Sequence, residues 1–255
     1  MTASSTTAGR RALFIMHDPE ARPGYVGERM TARGLTLELL PVAPTMTDSN
    51  PTIDFGDPGA YDVIVPLGSV WSVYDTDTIG NWITNELRFL AEAHRRRIPI
   101  LGICFGGQAL AAALGGTVSR APSPEIGWRT IDSDRPEDVA DGPWMQWHYD
   151  RFTVPAEATE IARNDAGPQA FVAGRSLGLQ FHPEVSHEII TGWLAGAPAE
   201  ELERPEVDLE RLRRDAAELA PAARARTERL VDWFLDDVAG LDLPTMADRE
   251  APGVG

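Results

Sequence analysis

The chain has 255 residues, 43% of them hydrophobic and 24% charged, which are ordinary globular values and exclude wholesale disorder or a fibrous repeat. A formal net charge of −16 repels phosphate backbones and anionic membrane surfaces, so neither nucleic acid nor a membrane is expected as a partner. All 23 basic residues are Arg, which excludes a lysine Schiff base or a P-loop lysine, and a lone cysteine, Cys104, excludes an internal disulfide and fits a reducing compartment.

In chain order, residues 1–9 are small and polar and read as a disordered leader. The apolar run that follows at 12–16 is too short for a signal peptide or a membrane span, so a cytoplasmic protein is expected. Apolar runs at 12–16, 35–40, 61–68 and 98–104 lack strict polar alternation, which predicts strands covered on both faces in a parallel sheet. The segments 20–33 and 79–96 predict the intervening helices, the second closing on Arg95, Arg96 and Arg97, charges that suit a helix C-terminus. The Pro- and Asp-rich stretch 41–60 reads as a surface loop.

From about residue 117 the runs shorten and Gly and Pro punctuate them: TVSRAP, EIGWRTID, RFTVP, EIARN, QAFVAG and SLGLQFHPE. These predict antiparallel strands and hairpins added to the first sheet or folded over it. Segments 186–195 and 208–239 are helical in pattern, with Leu209, Leu212, Ala216, Leu219, Leu230, Phe234 and Val238 spaced for one face. The expectation is one α/β domain over residues 10–240, with 196–240 a helical C-terminal extension and 241–255 a tail.

Cys104 sits in ILGICFGGQALAAALGG, an apolar strand followed by G-x-C-x-G and a helix of small residues. A nucleophile on such a strand-to-helix turn is held in a strained backbone conformation, and glycines two residues to either side permit the bend. The helix that follows directs its N-terminus at the sulfur, favouring thiolate, and its first free amides, beginning with Phe105, can stabilise an oxyanion. A merely structural core cysteine has no use for Gly102, Gly106 and Gly107, which weaken the elements they interrupt.

GICFGGQAL resembles the elbow of class I glutamine amidotransferases, whose glutaminase domains carry G-x-C-x-G-x-Q, and the later run QFHPE resembles the strand that holds their catalytic His and Glu. The resemblance implies a flavodoxin-like three-layer fold, with an open, twisted, mostly parallel sheet carrying added antiparallel strands. It also implies a triad of Cys104, His182 and Glu184. A thiol with its ordinary pKa of about 8.5 needs a base or an electropositive niche at neutral pH. His182 can supply both, and Glu184, two residues on along an extended segment, can orient its ring. His17, His94, His148 and His187 are competing bases, but only His182 has the H-P-E setting.

Gly68, in VPLGS, corresponds to the second glycine of the family's G-G-P loop, so its amide and that of Phe105 are the expected oxyanion pair. Leu67 and Ser69 depart from that loop, standing where the family has Gly and Pro. Gln108 matches the glutamine that follows the elbow. His148, Tyr149 and Asp150 in WHYD resemble the W-x-x-H-x-D region that borders the substrate pocket, and Val70, Trp71 and Tyr74 are candidates for its mouth.

Three functions remain open on this reading: a stand-alone hydrolase of glutamine or a γ-glutamyl amide, an ammonia-donating subunit of a synthase partner, and a DJ-1-like sensor, for which the H-P-E base has no use. None requires a metal or an organic cofactor. No S-G-G-x-D-S or Walker motif for ATP chemistry is present, and the role of the acidic extension is left open.

Overall fold

The computed structural model describes residues 9–205, 207–241 and 243; all but the last residue of the leader and most of the tail expected from sequence lie outside them. Its elements are β1 (Arg11–Met16), α1 (Gly24–Ala32), β2 (Thr36–Pro41), β3 (Val63–Pro66), α2 (Thr76–Arg95), β4 (Ile100–Ile103) and α3 (Phe105–Ala113). There follow β5 (Val118–Arg129), β6 (Asp132–Ser133), β7 (Trp144–Phe152), β8 (Thr159–Asn164), β9 (Gly167–Ala173) and β10 (Ser176–Leu179). Helices α4 (His187–Gly196), α5 (Ala199–Leu202) and α6 (Leu209–Trp233) complete the chain, α6 running into a π-helical turn at Phe234–Val238.

Eight strands form one sheet in the order β2-β1-β3-β4-β10-β9-β8-β6. The first five are mutually parallel and the last three antiparallel. The 2-1-3-4-10 order is that of a flavodoxin-like doubly wound sheet. Strand residues alternate between two apolar layers. Phe14, Val63, Val65, Leu101 and Leu177 pack with Val26 and Met30 of α1 and Leu230 and Val231 of α6. Leu13, Ile15, Ile64 and Ile100 pack with Ile79, Trp82, Ile83 and Leu90 of α2 and Leu110 of α3. Helix α2 forms because its apolar residues recur at helical spacing; one of the positions on that face is a buried acid, Glu86. At the edge, β2 is covered less than expected, and Leu39 is left exposed.

The second half departs in detail from the sequence pattern. TVSRAP and most of EIGWRTID make one strand, β5, which pairs with β7 as a separate two-stranded sheet. Its register breaks between Arg120 and Glu125, where Pro122 and Pro124 lack the N–H groups a ladder needs. The run RFTVP has no strand of its own; Arg151 and Phe152 finish β7. One face of this hairpin, with Ile126, Trp128 and Met145, packs on Ile189 and Ile190 of α4 and Leu212 and Ala216 of α6. Among the described residues no helix is long and apolar enough to cross a membrane.

Side-chain caps start the C-terminal helices: Ser186 accepts from Ile189 N at 3.2 Å and Asp208 from Arg211 N at 2.9 Å. Ion pairs then fasten α6 to α1. Arg29 reaches Asp232 at 2.5 Å, and the almost fully buried Arg33 spans Asp232 at 2.7 Å and Asp236 at 2.5 Å. Asp232→Ala deprives two guanidinium groups of a shared partner. Because the carboxylate is 30% exposed, the expected loss is discounted for screening to roughly 1–3 kcal/mol. It is read as a lower urea midpoint at unchanged slope.

Candidate active site

Parallel strands bring their carboxyl ends to one edge of the sheet, and there the chain gathers His17 after β1, Gly68 after β3, Cys104 after β4 and His182 shortly after β10. Cys104 occupies the bend between β4 and α3 with φ 52° and ψ −108°, a conformation an L-residue keeps only under constraint. Three backbone hydrogen bonds impose it: Cys104 N to Leu179 O at 2.9 Å, Gly106 N to Leu67 O at 3.0 Å, and Gln108 N to Cys104 O at 2.9 Å. A Cβ on Gly106 would strike the Pro66 carbonyl, and one on Gly107 the Leu179 carbonyl. Only glycine lets the flanking strands approach this closely.

His182 is 5% and Glu184 3% exposed. The ring Nδ1 lies 2.7 Å from Glu184 Oε1. The chain is pinned here by His182 N donating to Met145 O at 2.9 Å, a bridge that ties the small sheet to the large one. The opposite ring nitrogen, Nε2, is buried and closes no hydrogen bond with the described residues, while the nearby sulfur of Cys104 acts on the ring. Burial by itself would lower the pKa of His182. The charge of Glu184 and the neighbouring Cys104 outweigh it and hold the imidazole well above its ordinary 6.5. The indole of Trp193, from α4, meets the His182 ring edge-on at 4.9 Å, so α4 lies directly against this histidine.

Gly68 adjoins both groups. A Cβ placed on it would lie 2.9 Å from His182 Cε1 and 3.9 Å from Cys104 Cβ. Phe105 is the first residue of α3, where a backbone N–H has no acceptor within the helix. Gly68 thus lies beside Cys104 and His182, and Phe105 follows Cys104 directly in the chain.

The residues matched to the substrate pocket divide between two surroundings. Gln108 is buried and donates through Nε2 to Asp150 O at 3.2 Å and Gln180 Oε1 at 3.3 Å, and Gln180 Nε2 in turn approaches Cys104 Sγ at 3.9 Å. Asp150 accepts from the hydroxyls of Ser72 and, at 2.9 Å, Tyr74, which draws the 69–75 loop onto this cluster. His148 is engaged inward at both nitrogens, Nδ1 with Asp150 O at 2.9 Å and Nε2 with Glu125 Oε2 at 3.1 Å. Although burial opposes it, the His148 ring together with Asn164 and Gln169 holds Glu125 below its usual range. Tyr149 is separated from this group, because successive side chains of β7 point to opposite faces. Its hydroxyl bonds Glu201 Oε1 at 3.2 Å, and Arg120 and Arg204 lie over its ring.

Of the competing histidines, His187 is exposed at the start of α4, and His94 bonds Ser176 Oγ at 3.1 Å at the opposite end of β10. The sequence marks His17 only as a competitor. In the fold it is fully buried against Gly68, with Nε2 2.9 Å from Glu86 Oε1. A charged residue on the apolar face of α2 is the signal that could have revealed this pair. Among the described residues no group of three or more His, Cys, Asp and Glu side chains could hold a metal ion. A surface cleft of about 840 Å³, lined by Gly24, Ser186, Ile189 and Arg224 among others, does not include Cys104.

Replacing the charge beside His182 isolates its effect. In Glu184→Gln the imidazole is expected to give up its proton at lower pH than in the native chain, as read by NMR titration of labelled histidine. An unchanged titration would show that the carboxylate does not govern the ring.

The class-I glutamine amidotransferase family model matches residues 28–191. The chain is 40% identical over 116 residues to the glutamine-hydrolysing GMP synthase of Aeropyrum pernix, a match covering 39% of this chain and 22% of that protein. It is 34% identical over 170 residues to a GMP synthase of Thermus thermophilus, covering 59% and 31% respectively. The chain thus spans less than a third of the length of these relatives. Among solved structures, a glutamine amidotransferase from Thermotoga maritima superposes with a TM-score of 0.77 at 26% identity, covering 89% of this chain and 99% of that one. A glutamine amidotransferase from Methylobacillus flagellatus shares the fold, with a TM-score of 0.79 at 23% identity over 93% and 98% of the two chains. The chain belongs to the class-I glutamine amidotransferase family.

Proposed function

We propose that the protein is a cysteine amidohydrolase that cleaves the γ-amide of glutamine or of a γ-glutamyl amide through a glutamyl thioester, with Cys104, His182 and Glu184 as its triad. The observation that carries this reading is the buried His182–Glu184 pair at 2.7 Å in the neighbourhood of Cys104. As imidazolium, His182 stabilises the thiolate of Cys104, which attacks the γ-carbonyl carbon. The carbonyl oxygen gathers negative charge and accepts from the amides of Gly68 and Phe105. His182 then protonates the departing nitrogen, which could not leave as an amide anion, and the C–N bond breaks. Neutral His182 next takes a proton from water, the hydroxide displaces Cys104 from the thioester, and glutamate leaves. Gln108 and Asp150 are the polar groups we assign to holding the glutamyl end of the substrate, and His148 supports Asp150 from behind.

A second reading, an ammonia-donating subunit that docks on a separate synthase, draws on the relatives' being glutamine-hydrolysing GMP synthases that this chain matches over less than a third of their length. The two readings share their chemistry and differ in independence. The purified chain is to be assayed alone for glutamate release from glutamine and from a panel of γ-glutamyl amides. Appreciable turnover supports the hydrolase; turnover only on addition of a synthase supports the subunit. A sensor on the same fold would release no glutamate in either setting.

Cys104→Ala is expected to lower amide cleavage about 10⁴-fold or more, and His182→Ala nearly as far, because triad members act as a unit. Activity in His182→Ala comparable to that of the native protein would contradict the assigned base.

A further inference from the structure

His17 and Glu86 are each 0% exposed and take no part in the cleavage steps above. Such a pair loses its hydration on burial, and well-packed apolar side chains in its place are often as stable or more so. Its surroundings point to a different use. The imidazole donates from Nδ1 to the Gly68 carbonyl at 3.3 Å and is held at Nε2 by both Glu86 oxygens, at 2.9 and 3.1 Å. Its ring lies 4.7 Å from that of Phe105 and 5.6 Å from that of Trp82, between the two elements that supply the oxyanion amides and the helix that supplies Glu86.

The backbone at Gly68 is gripped from both sides. Gly106 N donates to Leu67 O at 3.0 Å, and because a trans peptide sends its C=O and N–H in opposite directions, this aims the Gly68 N–H away from Gly106. His17 holds the next carbonyl, that of Gly68. Ser69 follows this anchored carbonyl, and its φ has none of the restriction a proline would impose there.

Resting on the oxyanion role proposed above, we infer that the buried His17–Glu86 pair is a positioning device that keeps the Gly68 amide aimed at the developing oxyanion. Neither residue touches substrate. They act by fixing the peptide plane between Gly68 and Ser69, so that the donor is already aligned when charge appears on the carbonyl oxygen.

The test replaces the pair by apolar side chains of similar volume, His17→Leu with Glu86→Met, so that no buried charge is orphaned. The kcat for glutamate release is expected to fall about 10- to 100-fold, short of the loss of a whole oxyanion donor, with KM changed less than about threefold. Alkylation of Cys104 by iodoacetamide, which forms no oxyanion, is expected to stay within about twofold of native. Hydrogen–deuterium exchange at Ser69 and Val70 is expected to quicken while the melting temperature holds. His17→Asn with Glu86→Gln restores an N–H near the Nδ1 position and is expected to recover most of the lost kcat.

Native kcat and native exchange protection in the apolar variant would overturn the inference, as would a loss of alkylation in proportion to the loss of cleavage. If the native protein itself released no glutamate, the proposed function would fall; the exchange measurement would still decide whether the pair orders the loop.

Discussion

The close approach of three strand ends to one bend in the backbone is the constraint on which the rest of this structure depends. Cys104 holds a positive φ because the elbow is stitched to β10 through Leu179 and to the strand-β3 exit through Leu67, and those contacts exist only because Gly106 and Gly107 carry no side chain. The same contacts set where the sulfur lies relative to Gly68 and His182. A side chain at Gly106 would displace the strand-β3 exit and one at Gly107 the end of β10, so the posture of the sulfur and the surroundings proposed to serve it are one feature of the backbone.

Around that bend the polar groups are buried and, with few exceptions, paired, which makes their placement strict. In a medium poorer than water at screening charge, Glu184 and Cys104 hold the proton on His182, and Glu86 acts in the same direction on His17. The chain Gln180–Gln108–Asp150 extends this order from the sulfur to the 69–75 loop through Ser72 and Tyr74. Each member is fixed by its partners. The helices after Glu184 belong to this assembly. Trp193 lies against His182, Glu201 receives Trp147 and Tyr149, and α6 is fastened to α1 by buried or half-buried arginines.

The parallel half of the sheet and its helices are legible from the runs themselves, because a strand covered on both faces has no choice but to be apolar throughout. The elbow is legible from the glycines crowded about one cysteine. The antiparallel half is less so. Pro122 and Pro124 look like a boundary between two strands and instead form an irregularity within one, and WHYD looks like a substrate-facing patch although alternation along β7 turns Tyr149 away from Asp150.

What the sequence determined alone was local: periodicities of two and 3.6, the glycine pattern of a tight turn, and the short motifs that ally the chain with its family. Those depend on residues within a few positions of one another, whose geometry the backbone already restricts. Tertiary structure decided which distant residues became partners. Glu86 lies 69 positions from His17, and Gln180 lies 76 from Cys104. Nothing in either segment names the other, because such pairings follow from the order and register of strands, which close only when the whole sheet does.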